Sequence, residues 1–132
     1  MSKPRVLVAE DAAISRRKIV AILEKLDCDV EEAEDGEATI SHCESFKPEL
    51  IVLDLYMPEK DGLEVLQILR ANPQFKQTTI VVLTGEANTI IVRQAIAQGA
   101  NDYLLKTDTL SNLRDRLEKH IDVIRQRPPD IE

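Results

Sequence analysis

Several features that would mark other classes of protein are scarce or missing in this sequence. It has no tryptophan, 3% aromatic residues and two cysteines, Cys28 and Cys43. The two cysteines lack the spacing of a metal site, so we expect two free thiols that are buried or half-buried. No apolar run approaches the roughly 18 residues of a membrane span, and the first residues lack the apolar stretch of a signal peptide. We therefore expect a cytoplasmic protein with no membrane insertion.

Positive charge is also scarce. The 132 residues include 17 Lys and Arg against 24 Asp and Glu, which gives a net charge of −7. This balance does not indicate a basic face for an anionic membrane or for direct contact with nucleic acid. The hydrophobic content of 43% suits a chain that buries one core. We expect one domain over residues 1–127 and a short tail, 128–132, that begins where Pro128 stops the last helix.

A regular alternation of two patterns runs along most of the chain. We predict strands where short runs are rich in β-branched residues, at 5–9, 28–33, 50–54, 79–84 and 101–105. We predict helices where apolar residues recur at helical intervals, including 13–26, 61–71, 87–98 and 109–126. In the last helix, Leu110, Leu113 and Leu117 lie on the predicted buried face. The alternation predicts a doubly wound α/β fold, with helices on both faces of a parallel sheet.

Polar residues stand where the predicted strands end. The strand-end residues are Glu10, Asp11, Asp54, Thr84 and Lys106. Ligand sites of doubly wound sheets lie at the carboxyl ends of the strands, so we expect these side chains to converge. Each residue alone has an ordinary explanation, such as a helix cap or an exposed charge. Together, however, the three carboxylates would repel one another unless a cation lay among them, and oxygen ligands suit Mg²⁺ or Mn²⁺ rather than zinc.

These motifs resemble the receiver domains of two-component response regulators over about residues 4–126. The resemblance rests on AED at 9–11, LDLYMPEKDG at 53–62, TGEA at 84–87 and GANDYLLK at 99–106. It implies a flavodoxin-like (βα)5 fold whose five parallel strands have the order 2-1-3-4-5. It also implies a signalling protein rather than an enzyme. Its partners would be a sensor histidine kinase or a histidine phosphotransfer protein, and a downstream protein target.

By this resemblance, Asp54 would be the phosphoacceptor, and Thr84 and Lys106 would contact the phosphoryl oxygens. The chemistry is consistent with these roles, because a carboxylate can attack phosphorus when a metal ion and an ammonium group neutralise the transferred charge. If Thr84 moves toward the phosphoryl group, the ring of Tyr103 can occupy the space it leaves. By the same resemblance, Thr84 and Tyr103 would be the switch residues.

The resemblance also implies a set of metal ligands. These would be the carboxylates of Glu10, Asp11 and Asp54 and the backbone carbonyl of Tyr56, around Mg²⁺ or Mn²⁺. The side chains of Tyr56 and Glu86 occupy positions that tune dephosphorylation in the family, by shielding or positioning water.

The chain departs from the family directly after the site lysine. Most receivers have a proline there, preceded by a cis peptide bond, and this chain has Thr107. A cis bond before a residue other than proline costs about 2.5–4 kcal/mol. We therefore predict a trans bond between Lys106 and Thr107, with the charge of the lysine unaffected.

A surface for a partner is predicted around the fourth helix. Helical spacing directs one face toward the sheet, with Val92, Ala95, Ile96 and Gly99 on it. The same spacing leaves Ile90 exposed. Together with Tyr103, Ile90 would mark a face of the fourth helix, fifth strand and fifth helix. On phosphorylation this face would bind a downstream protein or a second copy of the chain.

Other functions compete with this interpretation. A phosphatase of the haloacid dehalogenase type also uses a strand-end aspartate and Mg²⁺, but it needs a second acid where this chain has Tyr56. A flavodoxin-like electron carrier needs more hydroxyl groups after the first strand. A receiver that binds partners without phosphorylation is a stronger alternative because of Thr107. The chain could also be a receiver cut from a larger response regulator or hybrid kinase, although Met1 and the compact length favour a stand-alone receiver.

Overall fold

A five-stranded parallel sheet forms the centre of the structure, a computed structural model that describes residues 3–57, 60–85 and 89–128. The strands are β1 (Arg5–Ala9), β2 (Asp29–Ala33), β3 (Leu50–Asp54), β4 (Thr79–Thr84) and β5 (Asp102–Leu105). Their order across the sheet is β2-β1-β3-β4-β5, and every neighbouring pair is parallel. The predicted doubly wound, flavodoxin-like sheet is therefore confirmed.

In the described part of the chain, five helices connect and follow the strands. They are α1 (Ala13–Lys25), α2 (Gly36–Phe46), α3 (Gly62–Ala71), α4 (Thr89–Ala97) and α5 (Leu110–Arg125), and a short 3-10 turn covers Pro73–Phe75. Directly before α2, α3 and α5 stand N-cap residues whose side chains accept a hydrogen bond from the first turn of the helix, namely Asp35, Asp61 and Thr109. Among the described residues, none of the helices is both long enough and apolar enough to cross a membrane.

The sheet separates two apolar clusters. The cluster on one face includes the buried sides of α1 and α5, and the cluster on the other face includes those of α2, α3 and α4. Every residue of β3 and β4 is buried, whereas β2 lies at one edge and has exposed residues. Cys28 and Cys43 are buried free thiols, as predicted. Each fully buried Leu, Ile or Val contributes about 1.5–3 kcal/mol, so the two clusters hold the strand ends in a rigid frame.

Two apolar residues do not lie where the helical spacing predicted them. Ile96 is 45% exposed, and the prediction that it faces the sheet is wrong. The helix packs through Ile91 and Ala95, four residues apart, which turns the next position about 100° toward solvent. Leu110 is also exposed, at 56%, because α5 begins there and its inner face meets the core only from Leu113 onward. Ile90, by contrast, is exposed as predicted.

The peptide bond after the site lysine is trans. All described residues are joined by trans peptide bonds, including Lys106 and Thr107, so this prediction is confirmed. The division into a domain of residues 1–127 and a tail stays a prediction, since residues 129–132 lie outside the described part of the chain.

Candidate functional site

The acidic residues that were predicted to converge do so at the carboxyl edge of the sheet. Asp54 ends β3, and Glu10 and Asp11 follow the neighbouring strand β1. One carboxylate oxygen from each of the three lies within 4.8 Å of the other two. Glu10 and Asp54 are fully buried, while Asp11 is exposed. The cluster therefore has a rigid inner part and an outer part that solvent reaches.

Lys106 lies against the two buried acids. Its Nζ donates a hydrogen bond to Asp54 Oδ2 at 2.8 Å and lies 2.6 Å from Glu10 Oε1. The other Asp54 oxygen, Oδ1, accepts a hydrogen bond from the backbone N–H of Tyr56 at 3.0 Å. The Lys106 backbone N–H donates to the carbonyl of Thr84, the buried last residue of β4, at 2.8 Å. The turns after β1 and β5 thus bring the side chains of Glu10 and Lys106 to Asp54, at the end of β3.

The charges of this cluster are incompletely balanced. Burial, together with the neighbouring Asp54, raises the pKa of Glu10 to about 7. Burial alone would lower the pKa of Lys106, but its contacts with Asp54 and Glu10 raise it. The Lys106 contact with Glu10 is an ion pair that is not aligned as a hydrogen bond, and neither Glu10 carboxylate oxygen has a hydrogen-bond partner among the described residues. Buried oxygens in this position are suitable ligands for a cation.

A buried arginine holds the turn that carries two of the acids. Arg16 Nη1 donates to the backbone carbonyl of Glu10 at 2.9 Å and to that of Asp11 at 3.3 Å. Its Nε donates to Glu32 Oε1, on β2, at 2.8 Å. The sequence did not indicate this role, because Arg16 stands in the basic run 16–18 on α1, which has the pattern of a solvated charged face. Only the fold shows that it lies between the β1–α1 turn and β2.

The turn after Asp54 packs tightly. A Cβ on Gly62 would lie 2.2 Å from the Asp54 carbonyl oxygen, and one on Gly36 would lie 2.3 Å from that of Lys60. Gly62 also donates its N–H to the carbonyl of Leu55 at 3.0 Å. These contacts require glycine at position 62, where the chain turns away directly beside Asp54.

Tyr103 lies on β5, away from the acids, and contacts α5. The guanidinium carbon of Arg116 lies 5.3 Å from the centre of its ring. Arg116 Nη2 pairs with Asp102 Oδ1 at 2.6 Å, and His120 Nε2 lies 2.9 Å from Asp102 Oδ2. The ring is half-buried and packs against the α2–α3–α4 side of the core. Its position is therefore linked to the charged side chains of α5.

Two of the remaining predicted residues are exposed, and a third is not described. The side chain of Tyr56 is 55% exposed although its backbone N–H bonds Asp54. Ile90 is 67% exposed on α4. Glu86 lies outside the described residues. Of the predicted residues, the structure thus brings together the three acids, Lys106 and the end of β4.

The fold and the acidic cluster define a known class of protein. Residues 6–118 match the family described as response regulator receiver domain, and the chain belongs to that family. Receiver domains act in two-component signalling and bind Mg²⁺ at an acidic pocket.

Individual relatives differ in how much of their length the chain covers. The chain is 32% identical over 117 residues to the chemotaxis protein CheY of Listeria monocytogenes, covering 87% of this chain and 96% of that protein. It is 34% identical over 131 residues to a protein-glutamate methylesterase/protein-glutamine glutaminase of Trichodesmium erythraeum, covering 96% of this chain but only 36% of that enzyme. The solved Mn²⁺-bound form of response regulator Rcp1 matches with a TM-score of 0.78 and 27% identity, over 98% of this chain and 99% of that one.

Proposed function

We propose that this chain is a phosphoacceptor signalling protein in which Asp54 takes a phosphoryl group from a sensor histidine kinase or a histidine phosphotransfer protein. The observation that carries the proposal is the contact of Asp54 Oδ2 with Lys106 Nζ at 2.8 Å, beside a cluster of three carboxylates. Membership in the receiver family supports the same role.

Asp54 is suited to act as a nucleophile. Its strand is buried throughout, so its carboxylate is held in place before the donor arrives. In the transfer, a carboxylate oxygen bonds to phosphorus while the bond from phosphorus to the donor's histidine nitrogen breaks, leaving an acyl phosphate. Lys106 would then contact a phosphoryl oxygen, and the hydroxyl of Thr84 would contact another.

The residues of the acidic cluster also fit a divalent cation. Glu10, Asp11 and Asp54, with the backbone carbonyl of Tyr56, would hold Mg²⁺ or Mn²⁺. The fit rests on the all-oxygen donor set and on the two buried Glu10 oxygens that have no hydrogen-bond partner among the described residues. The ion supplies positive charge that stabilises the transferred group. The Mn²⁺-bound form of the similar regulator Rcp1 supports this assignment.

The output would be a change at the face formed by α4, β5 and α5. Inward movement of Thr84 would let Tyr103 shift, and Tyr103 already contacts Arg116 on α5. Exposed Ile90 would add apolar area to the same face. We propose that a downstream protein, or a second copy of the chain, binds there when Asp54 is phosphorylated. Tyr56 and Glu86 would tune the lifetime of the phosphoryl group.

Two alternatives gain no support from the site. The trans bond before Thr107 leaves Lys106 in contact with Asp54, so the missing proline does not favour a receiver that works without phosphorylation. A haloacid dehalogenase mechanism would need a carboxylate two residues after Asp54, where the side chain is that of Tyr56.

Incubation with acetyl phosphate and Mg²⁺, followed by intact mass measurement, tests the proposed function. The wild-type chain should gain the mass of one phosphoryl group, and chelation of the metal should prevent the gain. Asp54→Asn should gain nothing, whereas Asp122→Asn, an exposed acid on α5, should behave as wild type. Undiminished phosphorylation of Asp54→Asn would overturn the assignment.

A further inference from the structure

A lysine on α1 reaches across to the turn between β5 and α5. Lys18 Nζ donates a hydrogen bond to the backbone carbonyl of Lys106 at 3.2 Å, and 88 positions separate the two residues in the chain. Lys18 does not contact Asp54 in the structure. Lys18 bonds the main chain of Lys106, and the side chain of Lys106 contacts Asp54. Any effect of Lys18 on Asp54 must therefore pass through Lys106.

Two main-chain hydrogen bonds fix the position of Lys106, and one of them is accepted by its carbonyl. The other is donated by its N–H to the Thr84 carbonyl at 2.8 Å and continues the pairing of β4 with β5. Beyond the carbonyl, the chain continues into exposed Thr107 through a trans bond. A threonine lacks the ring with which a proline would restrict the backbone at this point. The hydrogen bond from Lys18 supplies a restraint on the carbonyl side of Lys106.

The charges near Lys18 are consistent with this placement. Asp108, in the same turn, has a lowered pKa, mainly because of hydrogen bonds from Asn112 and Thr109, with smaller contributions from Arg116 and Lys18. Asp108 is half-buried and belongs to no ion pair with Lys18 within 4 Å among the described residues, so its attraction for the Lys18 ammonium is a weak, non-directional one. The part-buried hydrogen bond to the Lys106 carbonyl is therefore the directional contact of Lys18.

We propose that Lys18 is a positioning residue for phosphoryl transfer, whose hydrogen bond to the Lys106 carbonyl keeps the Lys106 ammonium at Asp54. The proposal rests on the proposed role of Asp54 as phosphoacceptor. Lys106 contacts the phosphoryl group in that role but is not a metal ligand. Loss of the Lys18 contact should therefore weaken phosphoryl recognition and leave metal binding in place.

Three variants of the full chain separate this role from a general effect of charge. Lys18→Met keeps most of the side-chain volume and removes the donor, and Lys18→Arg keeps a donor. Lys25→Met is the matched control, because Lys25 lines the same open groove between α1 and α5, two helical turns further along. For each protein we would measure the rate of phosphorylation by acetyl phosphate, the affinity for beryllofluoride, the affinity for Mg²⁺ and the thermal midpoint.

The expected result is a selective loss in one variant. Lys18→Met should lower both the phosphorylation rate and the beryllofluoride affinity about three- to tenfold, the range that one hydrogen bond spans, with Mg²⁺ affinity within about twofold of wild type. Lys18→Arg should recover most of the loss, and Lys25→Met should match wild type.

Contrary results fall into two groups. Unchanged phosphorylation and beryllofluoride binding in Lys18→Met would overturn the role of Lys18 and leave Asp54 as the phosphoacceptor. An equal loss in Lys25→Met, or an equal loss of Mg²⁺ affinity in Lys18→Met, would also overturn it, since either would indicate an effect of surface charge or of the fold. If the wild-type chain gained no phosphoryl group and bound no beryllofluoride, the proposed function itself would fail.

Discussion

Arg16 donates a hydrogen bond from Nη1 to the backbone carbonyl of Glu10 at 2.9 Å. A side chain of α1 therefore holds the main chain of Glu10, and the carboxylate of Glu10 lies next to that of Asp54. The side chain of Arg16 is only 10% exposed, and its Nε is paired with Glu32 at 2.8 Å. The contact joins the edge strand β2 to the site through a single guanidinium group.

Removal of Arg16 should therefore weaken both the fold and the metal site. Arg16→Met loses hydrogen bonds to two carbonyls and leaves Glu32 without its partner, so we expect the free energy of unfolding to fall by about 2 kcal/mol. Mg²⁺ affinity should fall as well, because the turn bearing Glu10 and Asp11 is no longer held. Urea unfolding and calorimetric Mg²⁺ titration measure the two effects. Arg17→Met, an exposed neighbour, is the control, and equal behaviour of the two variants would contradict the prediction.

Lys106 should matter more for transfer than for stability. Lys106→Met removes the only ammonium that contacts Asp54 and Glu10 among the described residues. Negative charge that develops on the phosphoryl group during transfer then loses the stabilising hydrogen bond from the ammonium. We therefore expect phosphorylation by acetyl phosphate to slow about a hundredfold. The initial rate of mass gain at saturating Mg²⁺ measures this. A rate near that of wild type would mean that Lys106 does not contact the transferred group.

Glu10 should make Mg²⁺ binding depend on pH. Burial and the nearby Asp54 raise the pKa of Glu10 to about 7. Below that pH the Glu10 carboxyl is mostly protonated, and it must lose its proton before it can bind a cation. Apparent Mg²⁺ affinity should rise from about pH 6 to about pH 8. Titration calorimetry at several pH values tests this, and Glu10→Gln should bind more weakly with a flatter pH profile. A wild-type affinity independent of pH would contradict the prediction.

The raised pKa of Glu10 should also affect the free energy of unfolding of the metal-free protein, which should fall with rising pH where Mg²⁺ affinity rises. The pKa of Glu10 is about 7 in the folded protein and 4.5 as its ordinary value, so the folded state binds more protons between these values. Stability should therefore fall as pH rises through that window, as far as Glu10 contributes. Glu10→Gln should remove this part of the slope in metal-free urea unfolding.

The carboxylate of Asp102 should increase the free energy of unfolding near neutral pH, and this contribution should be lost at low pH. Burial alone would raise its pKa, but the hydrogen bonds from His120 and the Tyr103 N–H and the charge of Arg116 lower it. A carboxylate with a lowered pKa stabilises the fold above its unfolded pKa and loses that contribution as pH falls through the folded value. Asp102→Asn should thus be less stable than wild type near neutral pH, with the difference shrinking below about pH 4. Asp122→Asn, whose partner is exposed Arg125, should show a smaller difference at every pH.

Gly62 should tolerate no side chain. In Gly62→Ala the new Cβ would overlap the Asp54 carbonyl oxygen at 2.2 Å, and relief of the overlap must move the backbone of β3 or of the following turn. We expect a loss of about 1–3 kcal/mol in the free energy of unfolding. Gly85→Ala is the control, since no atom lies within 4 Å of the corresponding Cβ. Equal stability of the two variants would mean that the turn adapts.

Much of the fold followed from hydrophobic patterning. The ends of β3 and β4 agree with the predicted spans because both strands are apolar on both faces and end in a polar residue. Ile96 and Leu110 were placed wrongly, since periodicity shows that a helix has an apolar face but not how far the helix is rotated on the sheet or where packing begins.

The site was predictable only in part, because a sequence shows which residues stand at the strand ends but not which main-chain atoms they contact. Glu10, Asp54 and Lys106 could be grouped because parallel strands bring their carboxyl ends to one edge. Arg16 and Lys18 could not, because each reaches the site through a hydrogen bond to a backbone carbonyl, and such a contact carries no signature in a sequence. The roles of Thr84, Tyr103 and Glu86 in a phosphorylation cycle stay predictions.

The order of the strands also bears on the chain as it leaves the ribosome. Protein synthesis proceeds from the N-terminus, and β1, β2 and β3 are adjacent in the sheet, so they can pair before the later strands exist. The acids of β1 and β3 would then approach one another early, whereas Lys106 is made 52 residues after Asp54. A nascent chain meets the mutual repulsion of the carboxylates first, and the ammonium that offsets it arrives with the last strand. The charge balance at the carboxyl edge of the sheet is therefore reached only after β5 and Lys106 have been made.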